Sequence, residues 1–463
     1  MKVLRFAADG VGDQSYMVVD ETCGCAAVID AQRDVWTYLD EADRLGVKIT
    51  HAFDTHVHND FVSGSRSLHE LTDATVVQGE ASFAYPVRHV HDGDHIDVGS
   101  AFTMRALHTP GHTFAHMSYA LEVAGTVVGL FTGGSLLVDT IGRTDLVSPG
   151  ATEQLARAQR ASLLRLLEYS GETEIFATHG AGSFCSAGDA PDRSASSIEL
   201  EKRGNRAVHV ALTEDEDAFV RFALHGLTEY PAYYSHMAPI NLAGAAPLVK
   251  LPTLEPLDPR RAHELQERGA SIVDARASLD FVRGFPRGAR SMPLGDSFAG
   301  YVGMVLPFDD ELVLVLPNDD DWRRAQGQLL RIGFDRARGY VAAGFPAWER
   351  AGLPVDRLTA ITIEDLHHRD KAREALVVDV RFGPEWRGGH VPGATHLAIG
   401  TLAARLGDVP PAGDRKLVTM CAGGTRATLA ASMLKRVGYD PLVVASGGFH
   451  EWNDHGWPVS HDG

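Results

Sequence analysis

The sequence predicts an α/β protein in three parts, a four-layer αββα sandwich followed by two small parallel α/β domains. In the first part, short β-rich runs alternate with helical periodicity, and the histidines of its motifs all fall in loops after strands. A Pro-rich stretch, PLVKLPTLEPLDP at 247–259, then reads as a linker. Beyond it the chain repeats itself. SIVDAR (271–276) matches LVVDVR (376–381), and GFPRGA (284–289) matches GHVPGA (389–394), each 105 positions further on. The implied boundaries are 1–246, 247–357 and 358–463.

The opening runs VLRF (3–6), SYMVVD (15–20) and AAVID (26–30) are strands, each bounded by Gly, Asp or Thr. DVWTYLDEADRLG (34–46) is an amphipathic helix, with Asp34 as its expected cap and Gly46 beyond its end. From 75 to 130 short apolar strands alternate with Gly and Asp turns. A helix from Thr152 to Tyr169 places Leu155, Ala158, Ser162 and Leu166 on one face, and 191–225 reads as polar and helical. Cys23-Gly24-Cys25 is an isolated C-x-C, read as turn residues rather than a metal or redox pair.

The stretch THVHNDFVSG (55–64) carries His56, His58 and Asp60 at alternate positions after an apolar run. On an extended chain such residues point the same way, so two imidazoles and a carboxylate leave one strand end together. They make good metal ligands and poor core filler. TPGHT adds His112 in a Pro-Gly turn, and EIFATHG (174–180) delivers His179 to another loop. His51, His69, His89, His91, His95, His108 and His116 show no comparable convergence and are read as solvated or structurally bonded.

With 61 acidic against 43 basic residues, net charge −18, the chain lacks the basic face that nucleic acid or an anionic membrane requires. MKVLRFAADG has no apolar run long enough for a signal peptide, and nothing later approaches a membrane span. Four scattered cysteines make no disulfide framework, so the expected compartment is the cytoplasm. Oligomeric state stays open, a homo-oligomer included.

The two repeats differ where chemistry would occur. In the second, a strand ends at Cys421 and opens the loop CAGGTR, followed by a helical run. Gly423, Gly424 and Thr425 place backbone N–H groups and the positive end of a helix at the sulfur, and Arg426 adds a fixed cation. That suits a nucleophile able to hold a persulfide. Asp379 and Arg381 are candidates to support or line the pocket. In the first repeat the stretch is LVLVLPNDDDW, with Pro317 opposite Cys421, so neither nucleophile nor cradle survives.

THxHxD, TPGHT and FTGGSLLVDTIGRTDL together resemble the metallo-β-lactamase superfamily. FVSGSR, GRTDL (142–146) and THGAGSFC (178–185) resemble the persulfide dioxygenases fused to rhodanese domains, and the repeats resemble rhodaneses. The resemblance implies a non-haem Fe(II) site that takes a low-molecular-weight thiol persulfide and O2 to sulfite and thiol. It also implies a rhodanese site passing sulfane sulfur between thiosulfate, sulfite and thiol through Cys421. His179 then belongs at the rim of the site, Asp60 beside the ligand histidines, and Tyr234, within YPAYYSHMAPIN (230–241), at the mouth over substrate. Two residues depart from the pattern. Phe61 replaces the histidine that holds a second metal, which argues for one metal. Gly134 replaces an aspartate ligand, which leaves His58 to join His56 and His112, with water or His179 completing the shell. The alternatives are a Zn-dependent thioester hydrolase of glyoxalase II type, or a sulfurtransferase whose first domain is only a scaffold.

Overall fold

A computed structural model describes residues 1–463 except 181, 188–194, 226 and 462–463. The chain forms two compact units. The first comprises Met1–Leu227, Tyr233–Pro252 and Leu330–Gly333; the second comprises Thr228–Ala232, Thr253–Leu329 and Phe334–Gly463.

The first unit is the predicted αββα sandwich. One sheet holds Lys2–Ala8, Asp13–Asp20, Cys25–Ile29, Lys48–Phe53, Thr75–Gln78 and Arg88–His89 (β1 to β6) in chain order. The other holds His95–Val98, Phe102–His108, Met117–Val123, Thr126–Gly133, Glu174–Ala177 and Ser196–Ser197 (β7 to β12), also in order. Alternation along β2 shows why four layers form. Tyr16 and Val18 enter the core between the sheets with Met104, Tyr119 and Phe131. Met17 and Val19 point the other way, into a cluster with Val35, Tyr38, Ala42 and Leu68 under the helices Trp36–Leu45 (α1) and Ser65–Thr72 (α2). The far face of the second sheet is covered by Thr152–Leu166 (α3), through Ala156, Leu163 and Leu166.

Two local expectations shift. Gly46 closes α1 in the left-handed conformation as expected, but the residue before the helix is Val35, and no side chain caps it. On α3 the buried stripe runs Leu155, Ala156, Gln159, Ser162, Leu163, Leu166, so Ala158 lies off it. The polar stretch after 190 forms the helices Ile198–Gly204, Arg206–Thr213 and Glu216–Leu224, and 191–194 lie outside the described residues.

In the second unit the two repeats have one topology. The first pairs Pro256–Leu257, Ala337–Val341, Leu312–Val315, Ser271–Asp274 and Arg290–Ser291; the second pairs Thr359–Ala360, Leu442–Val443, Lys416–Met420, Ala375–Asp379 and Thr395–His396. Numbered along each repeat, both sheets run 1-5-4-2-3, and every pairing is parallel. The repeats pack on each other. The helix Thr425–Arg436 is buried at every residue from Ala427 to Leu434, and Ser432 Oγ accepts from Ser291 N of the first repeat at 3.3 Å. A helix covered on all sides needs more than its own sheet, so the nucleophile-free repeat supplies the second wall. Among the described residues no helix is long and apolar enough to cross a membrane.

Candidate metal centre and sulfur-transfer loop

Three imidazoles converge. His56, His112 and His179 offer ring nitrogens within 4.8 Å of one another, all buried. Each ring spends its Nδ1 on a supporting acceptor. His112 Nδ1 donates to Arg143 O at 2.7 Å, and His179 Nδ1 donates to Asp13 Oδ1 at 2.9 Å. Thr55 Oγ1 donates its own proton to Asp30, so at 2.8 Å from His56 Nδ1 it must accept. All three Nε2 atoms are left with no hydrogen-bond partner among the described residues. Buried lone pairs without donors are costly, and convergent ones with Nδ1 anchored elsewhere are what metal-binding histidines look like. The set therefore fits a divalent metal with borderline-soft preference, and chemistry alone admits Zn or Fe(II).

Electrostatics agrees for two of the three. Burial, then repulsion from the neighbouring imidazoles, pushes His56 well below the usual imidazole value, and burial with His179 nearby takes His112 down to about 3. Both are neutral ligands. On His179 burial pulls the same way, but Asp60 and Asp13 outweigh it and raise its basicity. Asp60 Oδ2 lies 3.1 Å from His179 Nδ1. Asp13, on β2, had no motif to announce it.

His58 is not part of this group, which corrects the sequence reading. Its Nε2 donates to Asp30 Oδ1 at 3.1 Å, its ring stacks on Phe61 at 4.1 Å, and it forms a separate buried cluster with Asp30 and Asp54. His179, expected at the rim or completing the shell, supplies the third nitrogen. The reason His58 turns away is Asp30, which also accepts Thr55 N at 2.7 Å and ties the motif to β3.

Gly134 has a steric explanation. A Cβ there would sit 2.4 Å from His112 Cδ2, and one on Gly133 would sit 2.4 Å from His116 Nε2. His116 is buried with both nitrogens used: Nε2 accepts from Gly134 N at 2.9 Å, and Nδ1 donates to Thr109 Oγ1 at 3.0 Å. The two glycines thus let two imidazoles close on the turn, and a side chain where a carboxylate was expected would have to displace the His112 ring. Tyr234 is buried rather than at a mouth. Its hydroxyl lies 3.6 Å from Cys185 Sγ, and Cys185 shares a cluster with Asp60 and His179. Neighbouring Tyr233 donates to Asp60 O at 2.6 Å.

Gly424 N donates to Cys421 Sγ at 3.0 Å at the start of the Thr425–Arg436 helix. Gly424 has φ +101, and a Cβ there would meet Ala445 O at 2.1 Å, so only glycine brings this N–H to the sulfur. Gly423 is exposed, and Thr425 begins the helix. Arg426 donates to Glu385, with Nη2 to Oε1 at 2.7 Å. Arg381 is placed as a fold element, not in the pocket. It is 3% exposed, donates to Asp379 Oδ2 at 2.7 Å and to Gly389 O at 2.8 Å, and lies 3.8 Å over the Phe449 ring. The same arrangement recurs in the first repeat, where Arg276 donates to Asp274 and to Gly284 O and lies 4.4 Å over Phe345. A pair kept where there is no nucleophile serves the fold.

Known proteins match both parts. Residues 362–455 match the Rhodanese-like domain family. A metallo-β-lactamase structure from Staphylococcus aureus subsp. aureus COL is 27% identical with TM-score 0.66, covering 74% of this chain and 99% of that one. A structure of ETHE1 from Myxococcus xanthus is 30% identical over 52% of this chain and 99% of that one, with TM-score 0.46. The hydroxyacylglutathione hydrolase of Gloeobacter violaceus is 31% identical over 168 residues, 35% of this chain. The match spans 62% of that curated relative's length. This chain is therefore a fusion of a metallo-β-lactamase-fold domain with a C-terminal rhodanese domain.

Proposed function

We propose that the first unit oxidises the outer sulfur of a low-molecular-weight thiol persulfide with O2, and that the rhodanese domain moves sulfane sulfur through Cys421. In the oxidation one persulfide, one O2 and one water yield one thiol, one sulfite and two protons. In the transfer the Cys421 sulfur attacks the outer sulfur of thiosulfate. Sulfite leaves, and an acceptor thiol then takes the sulfur as its own persulfide. The product of one reaction is the substrate of the other.

The observation that carries this reading is a three-imidazole donor set with free Nε2 atoms on the same chain as a cysteine at a glycine-rich helix start. His56, His112 and His179 would hold Fe(II), which supplies the one-electron chemistry that O2 requires. Asp13 fixes the tautomer and direction of His179, and Thr55 and Arg143 O do so for His56 and His112. Phe61, fully buried against His58, puts carbon at the position where the metallo-β-lactamase resemblance implies a histidine for a second metal. At the second site Gly424 N–H and the helix start stabilise sulfur bearing negative charge.

The test is an oxygen-electrode assay of anaerobically iron-loaded protein with glutathione persulfide. Rapid O2 uptake with equimolar sulfite is expected; none from fully loaded protein ends the dioxygenase reading. A second reading, Zn-dependent thioester hydrolysis, has in its favour the hydroxyacylglutathione hydrolase match. A thioester assay on zinc-loaded protein checks it, and Phe61 predicts little turnover.

A further inference from the structure

The proposed activity leaves one motif unused, the turn Cys23-Gly24-Cys25 between β2 and β3. Read from sequence as turn residues, its two cysteines are bonded to each other. The bond adds little to the fold. β2 and β3 already pair from Tyr16 opposite Ile29 to Asp20 opposite Cys25, so linking residues two apart closes almost no further loop. A sulfur pair that is not a staple needs another use.

Its surroundings are built around the sulfurs. Gly99, at φ +69, lies beneath them, and a Cβ there would fall 2.3 Å from each Sγ. Cys23 is exposed, while Cys25 is 7% exposed. One sulfur can be reached by a small molecule and the other is sheltered. The nearby Asp20 completes a possible metal triad, but its oxygens are committed. Oδ1 accepts Thr22 N at 2.8 Å, and Oδ2 accepts Ser100 N at 2.9 Å and Ala101 N at 2.8 Å. With its carboxylate tied to backbone, this cluster suits sulfur chemistry better than a cation.

We propose that Cys23 and Cys25 form a reversible dithiol–disulfide couple whose partners are low-molecular-weight thiols and their disulfides. A small thiolate attacks the exposed Cys23 sulfur, the bond between the cysteines breaks, and Cys25 leaves and takes a proton. A second small thiol attacks the mixed disulfide at its own kind of sulfur, a small-molecule disulfide departs, and Cys23 is released as a thiol. Two electrons and two protons pass from two thiols to the protein, and the reverse sequence reoxidises it.

The full chain, equilibrated at a series of glutathione to glutathione disulfide ratios, would be acid-quenched, alkylated and read by peptide mass. The peptide bearing Cys23 and Cys25 should move between no label and two labels in a single two-electron transition. Cys25→Ser should trap glutathione on Cys23, and Cys23→Ser should trap far less on the sheltered Cys25. Asp20→Asn, which removes a charge that discourages thiolate, should speed alkylation of reduced Cys23 about twofold to fivefold. Two labels at every ratio, or none after dithiothreitol treatment of the folded protein, would overturn the couple. Equal trapping in the two serine variants would overturn the assignment of Cys23 as the attacked sulfur.

Discussion

At the scale of single residues, the centre depends on which ring nitrogen each histidine leaves free. His56, His112 and His179 each spend Nδ1 on a support and keep Nε2, so alanine at any one should remove most of the bound metal. His58→Ala should keep it, because that ring is committed to Asp30. Elemental analysis of anaerobically loaded variants decides this, and metal retained in His179→Ala would refute the three-nitrogen set. Asp13→Asn should weaken metal affinity about 10–100-fold while leaving all three ligands in place. Gly134→Ala adds only a methyl group, yet that methyl would press on the His112 ring. A stability loss of about 1–3 kcal/mol with weakened metal binding is expected. Unchanged Tm and stoichiometry would show that His112 has room to move.

At the scale of elements, the Asp-x-Arg pair after the second strand of each repeat locks a loop to a strand end. Arg276→Ala leaves the buried Asp274 carboxylate unpaired and should cost about 3 kcal/mol, read by urea denaturation. Sulfur transfer by the still-folded protein should be unchanged, and a selective loss of transfer would give the pair a chemical role. The Arg426–Glu385 pair carries a pH signature. Burial pushes the Glu385 carboxyl up, but Arg426 outweighs it, and the folded-state value lies below the ordinary one. Its stabilisation is therefore complete above the unfolded glutamate value, about 4.3, and is lost as pH falls through the lowered value. Glu385→Gln should flatten the urea midpoint in that acid range, and an unaltered acid limb would contradict it.

At the scale of the molecule, the two proposed chemistries sit in units with separate cores, so they should be separable. Serine cannot hold a persulfide, and Cys421→Ser should abolish sulfur transfer from thiosulfate to thiol. Metal content and O2 uptake with supplied glutathione persulfide should stay near wild type. A chelator should do the reverse, stopping O2 uptake and sparing transfer. Loss of direct persulfide oxidation in Cys421→Ser would mean that sulfur must pass through the rhodanese loop first.

Much of this was readable along the chain because it depends on neighbours in sequence. Strand alternation in β2, the left-handed Gly46, the 105-residue repeat and the Cys421 loop are all set by residues a few positions apart, or by one pattern occurring twice. The donor set was not readable in that way. Spacing shows that His56 and His58 leave one strand end together, but which of them faces the metal is decided by Asp30, 28 residues earlier on a neighbouring strand. Asp13 reaches His179 across 166 residues, and the fit of Gly134 depends on a ring brought in by another loop. Likewise, that the silent repeat helps bury the helix following Cys421 follows from packing between segments 141 residues apart. Local rules select which groups are offered at each loop. Long-range hydrogen bonds and steric room then select which of them meet.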